Sequence, residues 1–166
     1  MAEPESLSFA DADGVPNSPL PLLLYREALP PDAAAMEACF RDNGWSNGWR
    51  NGIFRYHHFH SIAHEVLGIA AGVVDVAFGG RGGVSVRLSA GDVVVIPAGV
   101  GHCNEGQTAD LLIVGAYPGG GHYDLCRDDP SQRKRVLANI AAVPVPQTDP
   151  VHGAKGALRR LWAGRG

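Results

Sequence analysis

Glycine cuts the middle of this chain into pieces too short for ordinary helices. It stands at Gly72, at four of the five positions from Gly79 to Gly83, at Gly91 and at Gly99. The stretches between are apolar. Val84, Val86 and Leu88 alternate with polar neighbours, the period of two that marks a half-buried strand. Val93 to Ile96 and Leu111 to Val114 are continuous apolar runs, which suit strands covered on both faces. Short strands separated by turns at this spacing predict an antiparallel barrel or sandwich over residues 53–117.

The flanks read differently. Residues 1–30 are Pro-rich, with one apolar patch from Leu20 to Tyr25 that Pro19 and Pro21 would restrict to an edge strand. Asp32 can cap a helix on which Met36 and Phe40 share a face, ended by Asn43-Gly44. Asn-Gly then recurs through residue 52, and this stretch is expected to be a loop carrying Trp45 and Trp49 partly buried. After Pro118, Gly119 to Gly121 predict a flexible loop, and Tyr117, His122, Tyr123 and Asp124 are candidates for a lid. A second helix is expected from Ser131 to Ala142, with Asp129 as cap and Pro130 in the first turn. Pro144, Pro146 and Pro150 forbid more helix, so the tail to Trp162 is expected to be an extended arm over the barrel. At 166 residues this is one domain: arm and helix over 1–51, barrel core over 52–118, C-terminal helix and arm over 119–166.

Charge and composition exclude several classes. A formal net charge of -3 gives no basic face for nucleic acid, and Arg133-Lys134-Arg135 reads as the solvated face of a helix. No apolar stretch reaches the 18 or so residues of a membrane span, and Met1-Ala2-Glu3-Pro4-Glu5 does not look like a signal peptide. Cys39, Cys103 and Cys126 are odd in number and widely spaced, so free thiols in a cytoplasmic protein are expected.

Four of the seven histidines fall between residues 57 and 64. On a strand, His58 and His60 point the same way with roots about 6.6 Å apart, close enough to share one ion. Glu65 opens the next apolar run and can add a carboxylate. Two imidazoles and a carboxylate are the donor set of many non-haem metal enzymes. The alternative, polar side chains turned into an apolar barrel with no counter-ion, would cost several kcal/mol in desolvation. His64-Glu65 does not open a zinc-protease helix, because Gly68 occupies the place of the second histidine.

Here the sequence resembles the cupins. Their first motif, G-x5-H-x-H-x(3 or 4)-E-x6-G, is met by Gly52, His58, His60, Glu65 and Gly72. The second, G-x5-P-x-G-x2-H-x3-N, is met by Gly91, Pro97, Gly99 and His102; its last position falls on Gly106, with Asn104 nearby. Over the rest of its length the chain looks like a group of single-domain bacterial cupins with an RmlC-like barrel. The resemblance implies a mainly β fold, a double-stranded β-helix (cupin jelly roll) with helical extensions at both ends. It also implies one divalent transition metal (Fe, Mn, Ni or Zn) on His58, His60, Glu65 and His102. His57, His64, Trp49, Tyr56 and Tyr117 are candidates for the pocket wall or for supporting the ligands. A metal-dependent enzyme on a small molecule is the first functional expectation, of oxygenase, decarboxylase or isomerase type with dioxygenase chemistry favoured. A non-enzymatic module binding or sensing a sugar or organic anion is the second, and a structural metal site, or an empty one, the third. Cupins commonly pair, so a homodimer is expected, with residues 16–30 as a segment able to exchange.

Overall fold

A computed structural model describes residues 2–164. All strand pairs named here are antiparallel and build two sheets. The six-stranded sheet has the order β1 (Glu5–Leu7), β2 (Leu22–Tyr25), β8 (Val93–Ile96), β5 (Glu65–Ala71), β10 (Leu112–Pro118), β3 (Trp45–Asn51). The five-stranded sheet runs β11 (Cys126–Arg127), β4 (His58–Phe59), β9 (His102–Gln107), β6 (Val73–Phe78), β7 (Val84–Ser89). Neighbours in each sheet come from distant parts of the chain, as β5 beside β8 and β6 beside β9 show, which is the jelly-roll arrangement.

The burial pattern follows from what covers each face. Leu22, Leu24, Leu67, Ile69, Val94 and Ile96 of the first sheet meet Val74, Val76, Phe78 and Leu88 of the second, forming the inter-sheet core. The opposite face of the six-stranded sheet is also dry. There Leu23, Tyr25, Val66, Val93, Val95 and Val114 pack under Met36 and Phe40 of α1 (Ala33–Asp42) and under Leu158 and Trp162 of α3 (Leu158–Trp162). A strand covered on both sides has no solvent face, and this is why β8 is an unbroken apolar run. β6 has one dry face, so Val74, Val76 and Phe78 alternate with half-buried residues. On β7, an edge strand, Leu88 is buried, Val86 half-buried and Val84 exposed, the alternation fading toward the start of the strand.

The first helix forms as its sequence predicts: the Asp32 carboxylate accepts from Ala35 N at 2.8 Å, and Gly44 follows at φ +82°. Asp129 caps a 3-10 turn, Pro130–Gln132, which leads into α2 (Arg133–Ala142). Arg133 pairs with Asp11 rather than standing free in solvent.

Three expectations are corrected. The patch at Leu22–Tyr25 is interior, because Glu5–Leu7 takes the sheet edge; Pro19 and Pro21 precede the paired residues and cost no ladder bond. The Asn-Gly stretch is β3 rather than a loop. It absorbs its turn-prone residues in a bulge: Trp49 faces Gly115 and Ser46 faces Tyr117, so Asn47 (φ +58°) and Gly48 together oppose one residue of β10. Trp45 is consequently 1% exposed, with Nε1 donating to Thr148 O. The tail, lastly, ends in helix rather than an extended arm. Leu158 and Trp162 are i and i+4 on one buried face, and Trp162 Nε1 donates to Pro21 O at 2.9 Å.

Candidate metal centre

The two sheets bring His58, His60 and His102 on one side to Glu65 on the other. His58 and His102 are direct partners across β4 and β9, and His60 lies one residue beyond β4. Glu65 is the first residue of β5, held by pairing with Ile96. All four are buried, between 1% and 8% exposed. They line a cavity of about 260 Å³ together with Trp49, Phe54, Tyr117 and Tyr123.

Within this group His60, Glu65 and His102 present one donor atom each, all within 4.8 Å of one another. His60 Nε2 lies 3.3 Å from Glu65 Oε2 and His102 Nε2 3.5 Å from Oε1. His58 lies beside His102, ring centroids 4.1 Å apart and planes tilted by 57°, and stands outside that set of close donors.

The other nitrogen of each ring decides what the facing one can do. His58 Nδ1 is 2.8 Å from Tyr56 O, His102 Nδ1 is 3.1 Å from Val100 O, and His60 Nδ1 contacts Asp124 O. A carbonyl oxygen only accepts, so each Nδ1 carries the hydrogen and each neutral ring keeps its lone pair on Nε2. Two Nε2 lone pairs thus face a carboxylate. That arrangement repels unless a proton or a cation lies between, and a divalent ion fits the donor set: imidazole and carboxylate at one point, the imidazoles oriented by carbonyl acceptors behind them.

The electrostatics say the same. Burial opposes protonation of His60, but the Glu65 carboxylate, its hydrogen bond and the Asp124 carbonyl outweigh it and lift the ring to about 9. Burial would raise Glu65; the two imidazoles instead hold it well below the usual carboxylate range. His58, buried and beside His102, is pushed down to about 3. Without an ion, one proton on His60 thus compensates the buried carboxylate.

Glu65 is also held from its own sheet. Tyr117 Oη donates to Glu65 Oε2 at 2.8 Å and accepts from Trp49 Nε1 at 2.8 Å. Trp49 reaches this position because residue 115 is glycine; a Cβ there would lie 2.2 Å from the indole. Burial and the Glu65 charge push the Tyr117 phenol far above its ordinary range, so it stays a donor.

Trp49 and Tyr117 both line the cavity. Tyr56 does not line the cavity but packs edge-on against His58 at 5.6 Å. His57 and His64 are not in it. His64 faces the far side of β5, where Nδ1 accepts from Ala98 N, Nε2 donates to Pro144 O and the ring rests on Trp162. His57 Nδ1 is buried with no hydrogen-bond partner among the described residues. Two loop residues have a larger part than the sequence assigned them. Tyr123 stacks on Tyr117 with centroids 4.4 Å apart and lines the cavity. Asp124 orients His60 through its carbonyl, while its carboxylate accepts from Ser61 N at 2.7 Å and from Ser61 Oγ. The glycine triplet before them was the only local signal.

No model of a known protein family matches the chain. It is 38% identical over 161 residues to a Bacillus subtilis protein described as uncharacterized protein YjlB, covering 96% of this chain and 97% of that one. Among solved structures it is similar to the WlaRB TDP-quinovose 3,4-ketoisomerase of Campylobacter jejuni, with 15% identity over 55% of this chain and 74% of that one (TM-score 0.43). It is also similar to RmlC of Streptococcus suis, with 12% identity over 72% of each chain (TM-score 0.40).

Proposed function

The chain is a cupin of the family that includes Bacillus subtilis YjlB, and from that premise we propose that it is a metal-dependent enzyme acting on a small molecule. His60, Glu65 and His102 are the principal donors, with His58 as the fourth. The observation that carries this reading is the tautomer pattern: three buried histidines spend Nδ1–H on backbone carbonyls, which leaves their Nε2 lone pairs for the ion. A bound Fe, Mn, Ni or Zn would supply Lewis acidity and open coordination positions, the requirement shared by oxygenase, decarboxylase and isomerase chemistry. The chain's own residues do the rest. Tyr117 and Trp49 keep the Glu65 carboxylate in one orientation, Asp124 fixes the His60 ring, and the aromatic walls limit water. A binding protein without catalysis is the second reading, favoured by one feature: besides the donors, the titratable groups that line the cavity among the described residues are the phenols of Tyr117 and Tyr123, with no further carboxylate, histidine or lysine.

The first test is metal analysis of protein purified without a nickel column, followed by dioxygen uptake with small acids and phenols. Its pH dependence is expected to have a definite sign. In the metal-free protein the His60–Glu65 pair contributes stability that is full between the unfolded carboxylate value of about 4.5 and the unfolded imidazole value of about 6.5, and is lost as pH rises through about 9. An ion must displace that His60 proton, so its affinity should rise about tenfold per pH unit from 7 to 8 and level off above 9. The gain in thermal midpoint on metal loading should widen over the same range. Equal affinity at pH 7 and pH 9 would mean that His60 carries no proton at neutral pH in the metal-free protein.

Placement in the cytoplasm is part of the same proposal and fits three unpaired thiols; no helix of the described residues is long and apolar enough to cross a membrane. So is a homodimer. Within one chain β2 is already paired on both sides, so a dimer is expected to form through sheet faces rather than by exchange of residues 16–30. Light scattering should return about twice the 17.5 kDa chain mass; a monomer mass at micromolar concentration would reject it.

A further inference from the structure

We infer that the ligand of this cavity is a monoanion carrying a single aromatic ring, and not a dicarboxylate, a phosphate ester or a nucleotide sugar; the inference rests on the metal-centre reading above. Charge is the first argument. Among the described residues Glu65 is the one carboxylate that lines the cavity, and no lysine or arginine among them lines it. The nearby Arg127 is committed elsewhere, its guanidinium 3.5 Å from the centre of the Tyr56 ring. With neutral histidines, a divalent ion and one carboxylate sum to a single positive charge. A monoanion brings that to zero. A dianion would leave a negative charge in a largely apolar cavity with nothing to compensate it, an arrangement that is strongly disfavoured.

Surface and size supply the second argument. Four aromatic side chains and the apolar Ile53 and Leu67 make up the walls, with Asn51 as a neutral polar group. Phe54 and Tyr123 line the cavity while being 52% and 45% exposed, which sets them at its mouth. Tyr123 already lies face to face with Tyr117 at 15° between planes, and its position leaves aromatic surface toward the opening. A planar ring entering here covers that surface. The volume of about 260 Å³ exceeds the roughly 150 Å³ that holds a benzene, so one substituted ring fits within it.

The test uses full-length protein loaded with Zn(II), a metal that does not turn over dioxygen, titrated calorimetrically at pH 7.5. The probes are benzoate, cyclohexanecarboxylate, succinate and inorganic phosphate. Benzoate is expected to bind at least about tenfold tighter than succinate or phosphate, and severalfold tighter than its saturated analogue. Phe54→Ala and Tyr123→Ala should each weaken benzoate by about two- to tenfold with zinc content unchanged. Asn51→Arg, which adds a cation at an exposed wall position, should move the preference toward succinate. Succinate or phosphate binding as tightly as benzoate overturns the charge argument, and benzoate indifferent to both aromatic variants overturns the ring argument. Zinc content measured on the same samples separates the two levels. Zinc bound without a benzoate preference sinks this inference alone; no zinc bound at all sinks the metal centre and the inference with it.

Discussion

His102→Ala and His60→Ala are each expected to lower metal affinity by about two to three orders of magnitude, taking the bound ion from near one per chain to a small fraction under chelator competition. The size follows from sharing a typical protein–metal binding energy of about 10–16 kcal/mol among four donors, roughly 2.5–4 kcal/mol each. Both rings are held with Nε2 toward Glu65, at 3.5 and 3.3 Å. His58→Ala should lose less, since its ring lies outside the cluster of donors within 4.8 Å. A loss of fold would mimic a loss of metal, so His102→Gln, which keeps a polar group of similar length opposite Glu65, is the companion variant. If His60→Ala and His102→Ala both retain full occupancy by elemental analysis, the ligand assignment is wrong.

How much of this could be read from residues alone depends on whether the relevant partners were close in sequence. Strand parity places His58 and His60 on one face, and Glu65 opens the next apolar run; His102 entered the proposed donor set through the motif resemblance alone, and the structure sets it beside His58 in one sheet with Glu65 on the other. Parity also puts His64 on the face away from Glu65, and the structure keeps it there under Trp162. What local pattern cannot show is pairing across long distances in the chain. Trp45–Asn51 looks like a series of turns because Asn-Gly is a turn signal, and only pairing with β10 makes it a strand with a bulge. Asp124 acts on His60 from 64 positions away. Cys126–Arg127, too short to show any period, pairs with His58–Phe59 and so fixes the entry of that loop into the site.

The same limit hides the residue whose removal should cost the fold most. Asp149 is fully buried, and four donors converge on its carboxylate. Oδ1 accepts from Val151 N at 2.8 Å and His152 N at 3.0 Å; Oδ2 accepts from Leu158 N at 3.3 Å and from the Tyr25 hydroxyl. Gly156 leaves room for it, since a Cβ there would come within 2.2 Å of the Asp149 side chain. The carboxylate thus ties the C-terminal turn to β2 and seats Leu158 and Trp162 on the sheet. Asp149→Ala would strand several buried donors at once, so a loss of about 3–5 kcal/mol is expected, lowering the thermal midpoint by roughly 10 °C for a chain of this size. Asp149→Asn keeps one acceptor oxygen and the shape and should lose less. Because this anchor lies on the face of the six-stranded sheet away from the donors, metal content per folded molecule should not change in either variant. An Asp149→Ala protein that melts with the wild type would mean that the tail is held by its apolar contacts alone, and that the buried carboxylate contributes nothing measurable.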